Sequence, residues 1–282
     1  MTEGRYSERS PLRVAVVASV DSTMQRLLAE QVVAMREAGY DVRCLCTPGS
    51  SRDWLLEHGF HMVDVQIPRR ISPLADLKAL WTMFRYFRRE RIAVVHTHTP
   101  KPALFGQLAA RLARVPVVIN TLHGFYFHEH MPPLKRRFYM FWETLAARLS
   151  SVILSQNPED IETAVRLRIA PRSRMRFLGN GVNLSRFDPE SFDAEGRASL
   201  RRSLDIVSDA VVVTIIARRV REKGFVELFE AMSGVMRRHS NAHLVIIGPG
   251  DPVKRDGIDP ESMSRFGIDE RTHWLGRRDD IP

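Results

Sequence analysis

The 282 residues are 44% hydrophobic and 27% charged, a balance that excludes disordered, collagen-like and disulfide-scaffold chains and leaves room for two domains. Lysine and arginine number 42 against 33 acidic residues, a formal charge of +9 that suits an anionic partner: nucleic acid, a phosphorylated small molecule or an anionic membrane face. No run reaches the ~18 uninterrupted apolar residues of a spanning helix, and Met1 to Arg13 is polar, without the apolar core of a secretion signal, so the expected location is the cytoplasm.

Leu12 to Ser19 is an apolar, β-branched run that predicts a buried parallel strand. Helical spacing follows over Ser22 to Ala38, with Leu27, Leu28, Val32 and Met35 on one face and Gly39 as its stop. Asp41 to Thr47 predicts a strand that holds the only cysteines, Cys44 and Cys46, as reduced buried thiols. Trp54 to His58 predicts a short helix and Met62 to Gln66 a strand. Leu74 to Glu90 predicts a helix with Leu77, Leu80, Trp81, Phe84 and Phe87 inward. Strands over Ile92 to His96, Pro116 to Thr121 and Val152 to Ser155 alternate with helices over Ala103 to Ala113, Leu134 to Leu149 and Pro158 to Arg168. Such alternation predicts an α/β chain with a parallel sheet covered on both faces.

The pattern pauses at the turn Gly179-Asn180-Gly181-Val182-Asn183. It restarts with a strand over Ala210 to Ala217, a helix over Phe225 to Arg238, a strand over Ala242 to Ile247, a turn at Gly248-Pro249-Gly250 and a last strand over Thr272 to Leu275. The reading is therefore two domains, 1–182 and 183–282. The second, with about three strands against a usual ~5–6, reads as incomplete.

Four groups of residues could carry chemistry. Arg218 to Gly224 (RRVREKG) joins a strand to a helix, where free backbone N–H groups and the positive dipole end converge. Arg218 and Lys223 add two cations and Gly224 permits close approach, which together make a diphosphate site. Gly248-Pro249-Gly250 ends a strand and allows backbone contact with a ligand, though a plain turn reads the same way. His96 and His98, then His123, follow strands, and His128-Glu129-His130 lies beyond; a strand-end histidine can bond a substrate hydroxyl or phosphate, or can simply be paired in the core. No spacing among them is a strong zinc signature. Finally, Arg69, Arg70, Lys78, Arg85, Arg88 and Arg89 border an apolar helix, and Lys135-Arg136-Arg137-Phe138-Tyr139 is similarly basic and aromatic. Either is a solvated helix edge or a contact with an anionic membrane. The arginines are otherwise scattered, with no nucleic-acid motif, and neither a G-x-G-x-x-G after the first strand nor a Walker loop occurs.

Five stretches, VVHTHTPKPALFGQLAARLARVPVVINTLHGF, FLGNGVNLSRFDP, IIARRVREKGF, LVIIGPG and HWLGRRDDIP, come in the order found in retaining glycosyltransferases of family 4. The chain resembles that family, with its GT-B fold of two Rossmann-like domains, from residue 92 onward. The HTHTPKP and HGFYFHE stretches resemble bacterial members that build surface polysaccharides or lipid-linked oligosaccharides. The resemblance implies transfer of a sugar from a nucleotide-sugar donor, by family frequency a UDP-sugar, with retention of anomeric configuration. It implies that Arg218 and Lys223 hold the donor diphosphate and stabilise the leaving group, so that no metal or other cofactor is needed. It places His123 beside the transferred sugar, Gly224 and Gly248 beside the donor, and the backbone near Arg277 at the nucleotide base. His98 and His128 fall near the sugar and acceptor. The acceptor, a saccharide or polyprenyl-linked sugar, would bind the N-terminal domain, and the domains would close over the cleft.

Two departures from the family follow. Ser19 to Thr23 holds no glycine where relatives carry a glycine-rich loop, and the later E-x(7)-E element is not within the 282 residues. The expectation is therefore a C-terminally truncated chain with weak or no activity alone and an exposed apolar sheet edge. The alternatives are a sugar-nucleotide epimerase of the same fold and an inactive nucleotide-sugar-binding remnant.

Overall fold

The computed structural model describes residues 11–68, 72–129, 131–250, 257–278 and 280–281; Arg69, Arg70 and His130 lie outside them. The chain divides into two compact units between Asn180 and Gly181.

The first unit is built on a seven-stranded sheet in the order β3-β2-β1-β4-β5-β6-β7. Its strands are β1 (Arg13–Val20), β2 (Asp41–Thr47), β3 (His61–Asp64), β4 (Val94–His98), β5 (Val117–Leu122), β6 (Val152–Ser155) and β7 (Met175–Phe177), and every pairing is parallel. Between them run α1 (Asp21–Thr23), a π turn (Met24–Leu28) and α2 (Ala29–Glu37); α3 (Arg52–Glu57); α4 (Pro73–Arg89); a second π turn (Pro102–Gly106) and α5 (Gln107–Leu112); α6 (Pro133–Leu149); and α7 (Pro158–Arg166). Alternate residues of β1 face opposite cores, as strand periodicity requires. Ala15 and Val17 meet Ala79, Met83 and Phe87 of α4 and Ala109 and Ala110 of α5. Val14, Val16 and Ala18 meet Met24, Leu28, Val32 and Leu55.

Three local expectations are corrected. The first helix opens into a π turn, so the buried stripe runs Met24, Leu28, Val32 and Leu27 is exposed. On α4, Leu77 and Trp81 are 62% and 55% exposed, because the helix carries two apolar stripes and the Ala79-Met83-Phe87 stripe takes the core. The third concerns β4, which starts two residues later than predicted, after Arg91 turns the chain with a φ of 51°, and extends through His98. That shift draws His98 into the sheet.

The second unit holds α8 (Ala194–Ser203), β8 (Val211–Ile216), α9 (Phe225–Arg238), β9 (Ala242–Ile247) and β10 (Thr272–Gly276), its three strands parallel in the order β10-β9-β8. Phe225, Phe229, Met232 and Met236 of α9 cover Ala242, Leu244 and Ile246 of β9. Neither β7 nor α8 is foreseen above; α8 is capped by Asp193, whose side chain accepts from the Gly196 N–H at 2.7 Å. β8 lies at the edge of its sheet, with Val211 and Ile216 exposed. No helix among the described residues is long and apolar enough to cross a membrane. Cys44 and Cys46 are free and buried, and burial pushes both thiols up to about 12, so they are inert.

Candidate functional site

Each unit gathers polar residues at the C-terminal edge of its own sheet, where the turns of a parallel α/β fold leave side chains and backbone N–H groups free for a ligand.

In the first unit the residues come from β4, β5 and β6. Register sets His96 beside Ile119 and His98 beside Thr121. His96 Nε2 lies 2.7 Å from Thr121 Oγ1, and the His96 and His98 rings stand 4.2 Å apart. His98 Nδ1 lies 3.1 Å from His123 Nε2, and His123 Nδ1 lies 2.9 Å from Gln156 Oε1. Gln156 Nε2 in turn donates to Asn180 Oδ1 at 3.1 Å. His98 has no exposed surface, so it reaches the edge only through His123, and His123 has both ring nitrogens engaged. Burial, with the neighbouring His123, pushes His96 down to about 4; burial likewise holds His98 well below the ordinary histidine range. Both are neutral core histidines at pH 7. His128 lies in the exposed loop after β5, where its carbonyl accepts from the Met131 N–H.

The loop after β1, without glycine, also has a defined role. Asp21 is buried and its carboxylate accepts from the Gly49 and Ser51 N–H groups at 2.6 and 3.0 Å. A Cβ at Gly49 would stand 2.9 Å from Asp21 Oδ1, so the carboxylate occupies space that a larger residue at 49 would need. Nearby, Lys101 Nζ meets Asp76 Oδ1 at 2.6 Å.

In the second unit β8 leads into Arg218, a 3₁₀ turn over Arg221–Lys223, and α9. Gly224 caps α9 with a φ of 75°, a left-handed conformation that favours glycine, and no side chain caps the first N–H groups of the helix. Those donors and the dipole thus share one end of the helix with Lys223, which is exposed, and Arg218, which is half-exposed. Arg218 pairs with Glu222 at 3.3 Å, a surface contact of small energetic weight. Its neighbour Arg219 differs. The guanidinium lies 5.4 Å from the Trp274 ring and the backbone N–H bonds Pro249, so Arg219 is part of the sheet's frame. The Gly248 N–H donates to Gly276 O at 2.7 Å, which ties the β9 turn to the end of β10 just before Arg277.

The structure therefore brings His98 and His123 into direct contact, and sets Arg218, Lys223, Gly224, Gly248 and Arg277 along one sheet edge. Sequence reasoning missed Gln156 and Asn180. The rule that singled out His123, a polar residue just past a strand, would also have found Gln156 after β6.

The chain matches the family described as Glycosyl transferase 4-like domain over residues 22–181. It is 25% identical over 280 residues to the Escherichia coli UDP-Gal:alpha-D-GlcNAc-diphosphoundecaprenol alpha-1,3-galactosyltransferase, which covers 98% of this chain and 71% of that protein. It is 23% identical to the capsular polysaccharide biosynthesis glycosyltransferase CapM of Staphylococcus aureus, over 79% of this chain and 57% of that one. Among solved structures, Anabaena HepE in complex with UDP and glucose superposes with a TM-score of 0.76 at 17% identity, over 96% of this chain and 71% of that one. A UDP-N-acetylglucosamine 2-epimerase superposes at 0.60 with 14% identity, over 95% and 70%. The fold is thus shared by transferases and epimerases, whereas the sequence likeness is to transferases: with a matched domain covering more than half of its length and a GT-B fold, the chain belongs to the glycosyl transferase 4-like family.

Proposed function

We propose that this chain transfers a sugar, with retention, from a nucleotide-sugar donor to a saccharide or polyprenyl-linked acceptor of envelope polysaccharide synthesis. The observation that carries the reading is the turn from β8 to α9. Two exposed cations, uncapped helix N–H groups and a left-handed glycine meet at one point, which suits a diphosphate. As the glycosidic bond breaks, negative charge grows on the diphosphate leaving group. Fixed cations and N–H donors stabilise that charge most in the transition state, so in this reading no metal is required. His123 stands beside the transferred sugar and the first unit takes the acceptor. The relatives' printed names, a lipid-linked galactosyltransferase and a capsular enzyme, support the acceptor class.

The test is product analysis with UDP-galactose or UDP-N-acetylglucosamine and a polyprenyl-diphosphate sugar. A new α-glycoside supports the proposal; an isomerised nucleotide sugar favours the epimerase, and neither product favours a binding protein. Lys223→Ala is expected to lower kcat/KM by about ten- to a hundredfold, the loss of one charge-assisted contact worth ~1.5–3 kcal/mol. An unchanged kcat/KM would remove Lys223 from the diphosphate site.

The reading includes peripheral contact with the anionic inner membrane face. Leu74, Leu77 and Trp81 form an exposed stripe on α4, and Leu134, Phe138, Phe141 and Trp142 another on α6. Lys78, Arg85 and Arg88 accompany the first, Lys135 and Arg137 the second. Exposed aromatics beside cations suit a headgroup layer better than water. Vesicles rich in phosphatidylglycerol should sediment the chain at low salt, and less at high salt. The double variant Phe138→Glu, Phe141→Glu should stay in the supernatant. Equal recovery of wild type with and without vesicles would count against membrane contact.

A further inference from the structure

The four residues His98, His123, Gln156 and Asn180 form one hydrogen-bonded chain from the core to the surface. Its proton arrangement follows from the surface end. Gln156 donates from Nε2 to Asn180, so in this orientation of its amide the Oε1 faces His123 and accepts. His123 Nδ1 therefore carries a proton. In a neutral imidazole the other nitrogen, Nε2, is then an acceptor, and the atom opposite it, His98 Nδ1, must be the donor. This leaves His98 Nε2 without a proton, in agreement with its environment: that atom is buried and makes no hydrogen bond. A bare N–H there would be costlier to bury than a bare lone pair on a ring already packed against His96.

We propose that His98 is a positioning residue for His123: its core-held Nδ1–H fixes His123 as the Nδ1–H tautomer and so presents it to a ligand as a hydrogen-bond donor. Both His123 nitrogens are engaged, so a ligand oxygen must displace one partner. Gln156 is the one that yields, since it is half-buried on a surface chain while His98 has no exposed surface. An oxygen acceptor, such as a sugar hydroxyl or ring oxygen, then takes the Nδ1–H. The ligand class rests on the proposed transfer reaction; the tautomer does not.

The test is a long-range ¹H–¹⁵N spectrum of the full chain labelled at histidine, with His123 assigned through His123→Gln. Wild type is expected to show His123 protonated at Nδ1. In His98→Phe the core-held donor is gone and the half-buried Gln156 amide can turn over to donate from Nε2 to His123 Nδ1, so the signal should move toward the Nε2–H form. His98→Asn, whose side-chain amide can stand where the ring Nδ1–H stood, should restore the wild-type form. An Nε2–H His123 in wild type overturns the proposal, as does an unchanged tautomer in His98→Phe. If His98→Phe does not fold, the wild-type and His98→Asn spectra still decide it. With an active transfer assay, His98→Phe should lower kcat about tenfold, the scale of one lost hydrogen bond, and His98→Asn should recover most of it. A shifted tautomer with kcat unchanged removes the positioning role. A wild type that transfers nothing sinks the proposed function and leaves the spectrum to decide this assignment.

Discussion

Gly248→Ala should unfold the second unit at markedly lower denaturant while leaving the first unit intact. The added Cβ would stand 1.9 Å from the Ala217 carbonyl oxygen and 2.7 Å from its carbon. Both are backbone atoms at the end of β8, held there by the Ala217 N–H to Ile247 O bond, so neither can rotate away. The φ of 147° adds a second cost, because side-chain-bearing residues rarely adopt it. Strain and overpacking at such a site together cost about 4 kcal/mol, a large share of the ~5–15 kcal/mol available to a domain. Relief requires the β9 turn to move off β8, which breaks the Gly248 N–H to Gly276 O bond and displaces the residues beside Arg277. Hydrogen exchange read by mass spectrometry separates the units: peptides of β8, β9 and β10 should lose protection and those of β1 to β6 should keep it. Wild-type protection across the second unit in Gly248→Ala would show that the turn does not sit against Ala217.

How much of this was legible in the sequence depends on the range of the interaction. The order of strands and helices was readable because buried parallel strands are short β-branched runs and their helices are amphipathic. The Arg218–Gly224 turn was readable for a similar reason: a strand, a basic turn, a glycine and a helix succeed one another within the local sequence. β7 was not, since three residues, Met-Arg-Phe, carry no period. Nor was the orientation of α4, where two apolar stripes compete and only packing against Ala15 and Val17 decides between them. The histidines were visible as strand-end residues, but not their linkage. His98, His123, Gln156 and Asn180 lie as far as 82 positions apart in sequence and meet because β4, β5 and β6 are neighbours in the sheet. β4 begins two residues later than the apolar run suggests, after the left-handed Arg91, and runs on through His98, which is a core residue rather than a surface candidate.

Stability should depend on pH through two buried features that pull in opposite directions. His96 is neutral in the fold, with its pKa pushed from 6.5 down to about 4 by burial and by His123. Between those values the unfolded chain takes up a proton that the folded chain refuses, so stability is full above 6.5 and is lost as pH falls toward 4. The gap is worth about 3 kcal/mol, and His98 acts in the same sense. Glu143 on α6 behaves inversely. Burial beside Leu122, Phe125 and Ala147 raises its carboxyl from 4.5 to about 7, so the fold keeps a proton that the unfolded chain loses. Its contribution is present below 4.5 and is lost as pH rises through 7. The same conversion, reduced because the side chain keeps some contact with water, makes that loss about 2 kcal/mol. Asp41, held low by its hydrogen bond from Arg43, contributes in full above the ordinary value of 3.8 and loses that contribution only below it, outside this window. Wild type should therefore gain stability from pH 4.5 to 6.5, less steeply than the histidines alone would give because the glutamate loss offsets part of the gain, and change little above pH 7. Glu143→Gln, which mimics the protonated carboxyl, should match wild type near pH 4.5 and exceed it by about 2 kcal/mol at pH 8. Its profile should then rise steeply to pH 6.5 and level off, exposing the histidine contribution alone. Urea titrations at half-unit steps of pH measure both curves. Superimposable profiles for the two chains would mean that the Glu143 carboxyl is ionised in the fold, and that α6 does not bury it against β5.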